Sequence, residues 1–270
     1  MPRDVSIEHV SMVFHSTGKA TGEPVIALQD VSLDIPAGRF VSIIGPSGCG
    51  KSTLLRLVAD IMQPTAGRVR VGGETPSAAR RHRAFGFVFQ SPTLLPWRTV
   101  LQNIELPLKI AGGKNPGPTP TELLDLVGLR GFENALPHTL SGGMQQRAAI
   151  ARALVLRPEV LLLDEPFGAL DEITRQRMNL ELLRIWAEVG TTALLVTHSI
   201  AEAVFMSDDV CIMSPRPGRL TGHVPIDLPR PRTLDMMRGP AFFAAVNQIR
   251  DGLFGHTGTP APAETPVEVY

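Results

Sequence analysis

Gly45-Pro46-Ser47-Gly48-Cys49-Gly50-Lys51-Ser52-Thr53, approached from the apolar run Phe40-Val41-Ser42-Ile43-Ile44, decides the fold of this 270-residue chain. It reads as strand, glycine loop and helix, and it fits G-x-x-x-x-G-K-[ST] in the context that pattern requires. The loop amides from Gly45 to Thr53 are placed to cradle phosphates. Lys51 reaches the β and γ phosphates, and the Ser52 hydroxyl is a ligand for Mg²⁺. A bare glycine turn is the bland reading, and the full pattern in its strand-to-helix setting leaves it little room. The implied ligand is a nucleoside triphosphate.

Three further segments supply the chemistry such a loop needs. Val160-Leu161-Leu162-Leu163-Asp164 is short and wholly apolar up to its carboxylate, which marks a buried parallel strand, and ligands collect outside the carboxyl ends of such strands. Asp164 is therefore expected to hold Mg²⁺ through water. Glu165, pointing the other way, is expected to polarise the attacking water as general base. Gln90 closes another apolar run, Phe85-Gly86-Phe87-Val88-Phe89, where its carbonyl oxygen can bind Mg²⁺ or orient water. His198 closes Thr192-Ala193-Leu194-Leu195-Val196-Thr197 and is placed to bond the γ-phosphate while keeping Glu165 and water in line. A lone histidine at a strand end is otherwise an ordinary structural residue.

Leu140-Ser141-Gly142-Gly143-Met144-Gln145-Gln146-Arg147 is different in kind. A serine and two glycines precede an apolar-periodic run, so a helix starts there with free backbone N–H groups, and such an end attracts anions. No phosphate-binding loop is near it in sequence. Taken alone it reads more readily as a flexible N-cap.

Around these motifs strands and helices alternate. Val31, Leu33 and Ile35 suggest an early antiparallel strand ended by Pro36-Ala37-Gly38. A helix is expected from Lys51 to about Ile61, with strands near Arg68 to Val71 and Phe85 to Phe89. Helices are expected over Leu101 to Ile110, over Thr121 to Leu129 and after Gly143, around a Gly/Pro-rich loop from Gly112 to Pro120. A long amphipathic helix follows near Asp171 to Glu188. The expected fold is α/β: a P-loop NTPase core with a small antiparallel β-subdomain and a helical subdomain inserted at about 91–155, the whole spanning 1–255. The proline-rich stretch 256–270 is expected to be disordered. With 26 Lys+Arg against 26 Asp+Glu and a pI near 7.1, the chain has no nucleic-acid footprint. No signal-like start and no long apolar run occur, so the chain is not expected to cross a membrane by itself. Cys49 in the loop and Cys211 in a strand pattern make no disulfide framework, and reduced thiols fit the cytoplasm.

Six motifs in this order make the chain similar to the ATP-binding subunit of an ATP-binding cassette (ABC) transporter, over about Val5 to Met213. Gly45 to Thr53 resembles the Walker A loop, Gln90 the Q-loop glutamine and Leu140 to Gln145 the family signature. Val160 to Glu165 resembles Walker B with its catalytic glutamate, Gly168-Ala169-Leu170-Asp171 the D-loop, and His198 the switch histidine. The resemblance implies ATP and Mg²⁺ as ligands, with Ser141, Gly142, Gly143 and Gln145, and Asp171, adding to the nucleotide site. Where the family often has a tyrosine stacking on adenine, this chain offers Phe14, which stacks but cannot donate a hydrogen bond; the other reading of Phe14 is a core aromatic.

If Ser141, Gly142 and Gly143 are to meet a γ-phosphate held by Lys51, they must meet that of a second copy, giving an ATP-sandwich dimer. Ser91 to Val100, broken twice by proline, carries Leu94, Leu95 and Trp97, which either form an apolar groove for a helix of a membrane permease or pack locally. Phe89 to Val100, Asp164 to Arg175 and Met213-Ser214-Pro215-Arg216-Pro217-Gly218-Arg219 are similar to the nitrate, sulfonate and taurine group of bacterial importers, which includes relatives for thiamine-precursor pyrimidines. That resemblance implies a peripheral subunit on the cytoplasmic face of the inner membrane, with a substrate-binding protein as indirect partner. An exporter subunit and a soluble cassette ATPase of repair or translation share the ATPase motifs. Against the latter stand the single P-loop, the single signature and the short span from Gln90 to Leu140.

Overall fold

The computed structural model describes residues 1–15, 23–113 and 117–255. In it, β1 (Val5–Phe14), β2 (Val25–Ile35) and, beyond the strand β3 (Phe40–Ile44), β4 (Ala66–Val71) form an antiparallel sheet in the order β2-β1-β4. A second sheet has six strands: β5 (Phe85–Val88), β6 (Val160–Asp164), β7 (Thr192–Thr197), β3, β8 (Asp209–Met213) and β9 (Leu220–Pro225), in that order. All neighbours are parallel except β8 and β9.

Why the unbroken apolar runs become strands is clear from where their side chains go. Every residue of β3, β6 and β7 is buried, yet the two-residue period still sorts them to opposite faces. Phe40 and Ile44, Leu161 and Leu163, and Ala193 and Leu195 enter one core; Val41 and Ile43, Val160 and Leu162, and Leu194 and Val196 enter the other. The second core is closed by the antiparallel sheet and by α1 (Lys51–Val58), through Leu54, Leu55, Leu57 and Val58. Truncating one of these fully buried leucines to alanine costs ~2–5 kcal/mol.

Between β5 and β6 lie α3 (Val100–Ile110), α4 (Pro120–Leu126) and α5 (Gly142–Leu154), beyond the short α2 (Pro76–Arg81). Val100, Ile104, Leu123, Leu124, Val127 and Leu129 of this insertion belong to the first core, so it is packed onto the parallel sheet. Thr99 and Thr119 start α3 and α4 with reciprocal capping boxes to Gln102 and Glu122. The other face of that core is made by α6 (Glu172–Val189), α7 (Ile200–Met206) and α8 (Pro240–Phe254).

Some boundaries differ from expectation for local reasons. The helix after the glycine loop stops at Val58 rather than near Ile61, because the chain turns with Asp60 at φ 57. That of Thr121 to Leu129 stops at Leu126, ahead of Gly128 at φ 64. Asp171 caps the long helix from outside it. The expected disordered tail, 256–270, lies outside the described residues, as do 114–116 of the Gly/Pro-rich loop. Among the described residues no helix is long and apolar enough to cross a membrane.

Candidate active site

At the carboxyl ends of the parallel strands lies a cavity of about 370 Å³, bordered by Phe14, Val25, Ala27, Ser47, Gly48, Gly50, Lys51, Ser52, Thr53, Gln90, Glu165 and Arg216. Residues from 14 to 216 converge there because the parallel strands β5, β6, β7 and β3, neighbours in that order, end along one edge of the sheet. Phe14, at the end of β1, is 38% exposed and faces this cavity with Val25 and Ala27, which removes it from the core.

The glycine loop has little conformational choice. Gly48 stands at φ 76 and Gly50, the N-cap of α1, at φ 107. A Cβ on Gly50 would lie 2.6 Å from Leu28 Cδ2, so the position needs glycine for both backbone and space. Lys51 is buried, and its Nζ donates to Gly45 O at 2.8 Å and Pro46 O at 2.9 Å. The Cys49 side chain is buried in the second core, with Sγ 3.8 Å from Lys51 Nζ.

Ser52 Oγ donates to Asp164 Oδ1 at 2.7 Å. Asp164 is 7% exposed, and burial pushes its carboxyl above the ordinary range, the bond from Ser52 opposing this only in part. A desolvated carboxylate joined to a hydroxyl is a hard-oxygen donor pair, which fits Mg²⁺.

Glu165 follows with φ 44, a left-handed backbone that a non-glycine residue adopts at a cost of ~1–3 kcal/mol. Its N–H is fixed on Val196 O at 2.9 Å. The kink breaks the alternation of β6, and the Glu165 carboxylate borders the cavity, where Oε2 meets His198 Nδ1 at 2.9 Å. His198 is held from behind: Thr197 Oγ1 donates to the buried Glu202 carboxyl and accepts from Ser199 N. Gln90 approaches the same edge. One residue before it, Phe89 O accepts from Gln146 Nε2 of α5 at 3.1 Å.

The second anion-seeking helix start does not border the cavity. Ser141 caps α5, its Oγ accepting from Met144 N at 3.3 Å. Nearest to a Cβ built on Gly142 or Gly143 are Leu170 Cδ2 at 3.9 Å and Thr174 Cγ2 at 3.7 Å, ordinary contacts that leave the approach open. Gln145 Nε2 donates to Pro137 O at 2.9 Å and Leu140 O at 3.2 Å, so its amide hydrogens serve the loop in front of the helix. Asp171 accepts from Thr174 N at 3.0 Å, and hydrogen bonds to Thr174 hold its carboxyl below the usual range.

A separate apolar groove of about 540 Å³ opens beside β5 and includes Phe85, Phe87, Phe89, Leu95, Leu106 and Ile110. The three expected docking residues divide: Leu95 borders the groove, Leu94 packs on the first core, and Trp97 is 73% exposed. Two residues that the sequence did not single out hold this loop. Fully buried Asn103 accepts from Leu95 N at 2.7 Å and donates to Leu95, Arg98 and Thr99 carbonyls. Arg152 of α5 donates to Pro92 O at 2.9 Å and Thr93 O at 2.8 Å. Arg216 on the cavity wall stood in the sequence only as part of the stretch Met213 to Arg219, with no role at the site. Its partner, Gly48, is 168 positions away, a separation no local pattern encodes.

Comparison with known proteins agrees with this geometry. The ABC transporter family profile matches residues 28–168. A nitrate import ATP-binding protein, NrtC of Synechococcus elongatus, is 45% identical over 251 residues, 91% of this chain and 37% of that protein. The taurine import ATP-binding protein TauB of Rhizobium johnstonii is 45% identical over 84% of this chain and 85% of its own length. The dimeric, post-hydrolysis ATP-binding cassette MJ0796 bound to ADP and Pi superposes with TM-score 0.70 at 34% identity, over 83% of this chain and 99% of that one. This chain thus belongs to the ABC transporter family, as an ATP-hydrolysing subunit of an importer.

Proposed function

We propose that two copies of the chain close face to face on two ATP molecules and that closure drives a separate membrane permease to take up a small solute of the nitrate, sulfonate, taurine or thiamine-precursor kind. The observation that carries this reading is the open start of α5. Ser141, Gly142 and Gly143 expose a helix N-terminus away from their own cavity, so the γ-phosphate they suit is a partner's. The dimeric state of MJ0796 and the import roles in the relatives' names support it.

Within each copy, the loop amides and Lys51 hold the phosphate chain and Phe14 stacks on adenine. Ser52, Asp164 and Gln90 are the groups that would hold Mg²⁺, which when bound offsets phosphate charge and orients the oxygens. Glu165 takes the proton of the attacking water. His198 keeps one ring nitrogen on Glu165 and turns the other to the γ-phosphate; serving two acceptors at once needs both nitrogens protonated. Asp171, capping α6 beside Gly143, lines the contact between copies. The groove that Leu95 borders, with Leu94 and exposed Trp97 on the same loop, receives a permease helix, placing the chain peripherally at the cytoplasmic face of the membrane. A substrate-binding protein selects the solute, and no nucleic acid takes part.

The test is the Glu165→Gln chain: it should bind ATP, run as a dimer and lose ~10²-fold or more in hydrolysis. Turnover near wild type would place the base elsewhere. Purifying the membrane complex and identifying the binding protein's ligand by mass spectrometry names the solute; a complex without any binding protein would overturn import.

A further inference from the structure

The loop between β8 and β9, Ser214-Pro215-Arg216-Pro217-Gly218-Arg219, lies directly on the glycine loop. Gly218 N donates to Ala27 O at 3.0 Å, and Gly218 O accepts from Gln29 N at 2.9 Å. A Cβ at Gly218 would stand 2.0 Å from Cys49 O, so the two backbones touch where only glycine fits. Ser214 braces the loop from within, its Oγ donating to Pro217 O at 3.1 Å and accepting from Arg219 N at 3.0 Å.

Held in this way, Arg216 borders the nucleotide cavity, and its Nε and Nη2 both donate to Gly48 O, at 3.2 and 3.0 Å. Two donors on one oxygen leave the remaining N–H groups of the guanidinium without a partner among the described residues. Among the described residues the cavity wall carries one other cation, Lys51, already engaged by Gly45 O and Pro46 O. A planar fork with spare donors, beside the turn at Gly48, matches a phosphate oxygen better than it matches solvent. The γ side of the cavity is marked by Glu165, Gln90 and His198. Arg216 is tied instead to Gly48 of the glycine loop, whose amides in such a loop face the α and β phosphates, the part of the chain that ADP and ATP share.

We infer that Arg216 is a nucleotide-binding residue whose guanidinium grips that shared part of the phosphate chain while tying down the Gly48 carbonyl, so that the β8–β9 loop straps the nucleotide into the glycine loop. This rests on the cavity being the ATP site.

The experiment measures ADP and ATP affinity of the full chain by calorimetry for Arg216→Ala and Arg216→Lys, with Lys51→Ala in parallel. Arg216→Ala should weaken both nucleotides by the same factor, roughly ten-fold for one charge-assisted contact, and raise KM for ATP accordingly. Arg216→Lys should recover part of the loss. Wild-type affinities in Arg216→Ala, with only a lower melting temperature, would make Arg216 a clamp on the loop and overturn the inference, as would a loss confined to ATP. Should the alanine variant fail to fold, Arg216→Gln, which can still donate to Gly48 O, carries the same comparison. If Lys51→Ala leaves ATP binding intact, the cavity is not the nucleotide site. If it abolishes binding while the Arg216 variants bind normally, this inference alone falls.

Discussion

Two helix starts in this molecule are suited to phosphate, and they are built in opposite ways. At α1 the positive end is walled in: Gly50 is pressed against Leu28 and Ala27, Lys51 is buried, and Asp164, Glu165, Gln90 and Arg216 crowd the same space. At α5 the positive end faces outward, with two glycines meeting nothing closer than 3.7 Å and a cap supplied by Ser141. The first is a site that one chain completes by folding. The second is a surface whose chemistry needs another molecule. On the proposed reading, one subunit carries the machinery to bind ATP and only part of that to turn it over.

The sharpest way to break that contrast is to disable each end separately. Lys51→Ala should lower ATP affinity of the isolated chain by ~10²-fold, as expected for a buried charged contact to phosphate. Gly143→Asp should leave the affinity of the monomer at its wild-type value. A side chain there meets only Thr174 at ordinary distance, and an acid in the first turn of a helix is locally favourable. Its charge would instead repel a partner's γ-phosphate, so ATP-dependent dimers and hydrolysis should fall ten-fold or more by a rough estimate from oxyanion-hole losses. Equal loss of monomer affinity in both variants would erase the distinction between the two ends.

A second contrast lies between carboxylates. Burial raises Asp164, whereas hydrogen bonds from Thr174 lower Asp171. For Asp164 the folded chain holds its proton more tightly than the unfolded chain. Nucleotide-free stability should therefore fall as pH rises from the ordinary carboxylate range through the raised folded value. Asp171 has the opposite sign: its contribution is present above its unfolded value and is lost as pH falls through the lowered folded one. Asp164→Asn keeps an acceptor for Ser52 and removes the buried charge, so it should raise the melting temperature at pH 8 by about 2–4 °C while abolishing metal-dependent hydrolysis. An unchanged or lower melting temperature would show that Asp164 is not strained by its burial. The smallest expected effect in the isolated chain is Trp97→Ala, within ~0.5 kcal/mol because the ring is 73% exposed. In the assembled transporter the same variant should lower solute moved per ATP, and an unchanged ratio would remove Trp97 from the docking surface.

What could be read in the sequence was whatever local chemistry forces. The glycine loop, the carboxylate-tipped strand Val160–Asp164 and the start of α5 are each contiguous, and each announces its structure through residue type and spacing. α8 was legible too: Phe242, Val246 and Ile249 are its buried face, at helical spacing, but no motif drew attention there. The division of Leu94, Leu95 and Trp97 among core, groove and surface was not legible, because it is set by Asn103 on a different element. The local partners of Gln145 were not legible for a similar reason. Its type suits a phosphate, but the carbonyls of Pro137 and Leu140 reach it first. Arg216 shows the limit most plainly, since only the fold brings it to Gly48.

α5 does more than present Ser141, Gly142 and Gly143. It holds Phe89 through Gln146 and Pro92 and Thr93 through Arg152, so the segment on either side of Gln90 hangs from the same helix whose first turn faces outward. Thirteen residues of continuous helix span roughly 20 Å with little give along the axis. In the proposed dimer the helix is a connecting rod, with one bearing at a neighbour's phosphate and the other at the apolar groove that Arg152 and Ala153 border. A push of an ångström at either bearing must arrive at the other.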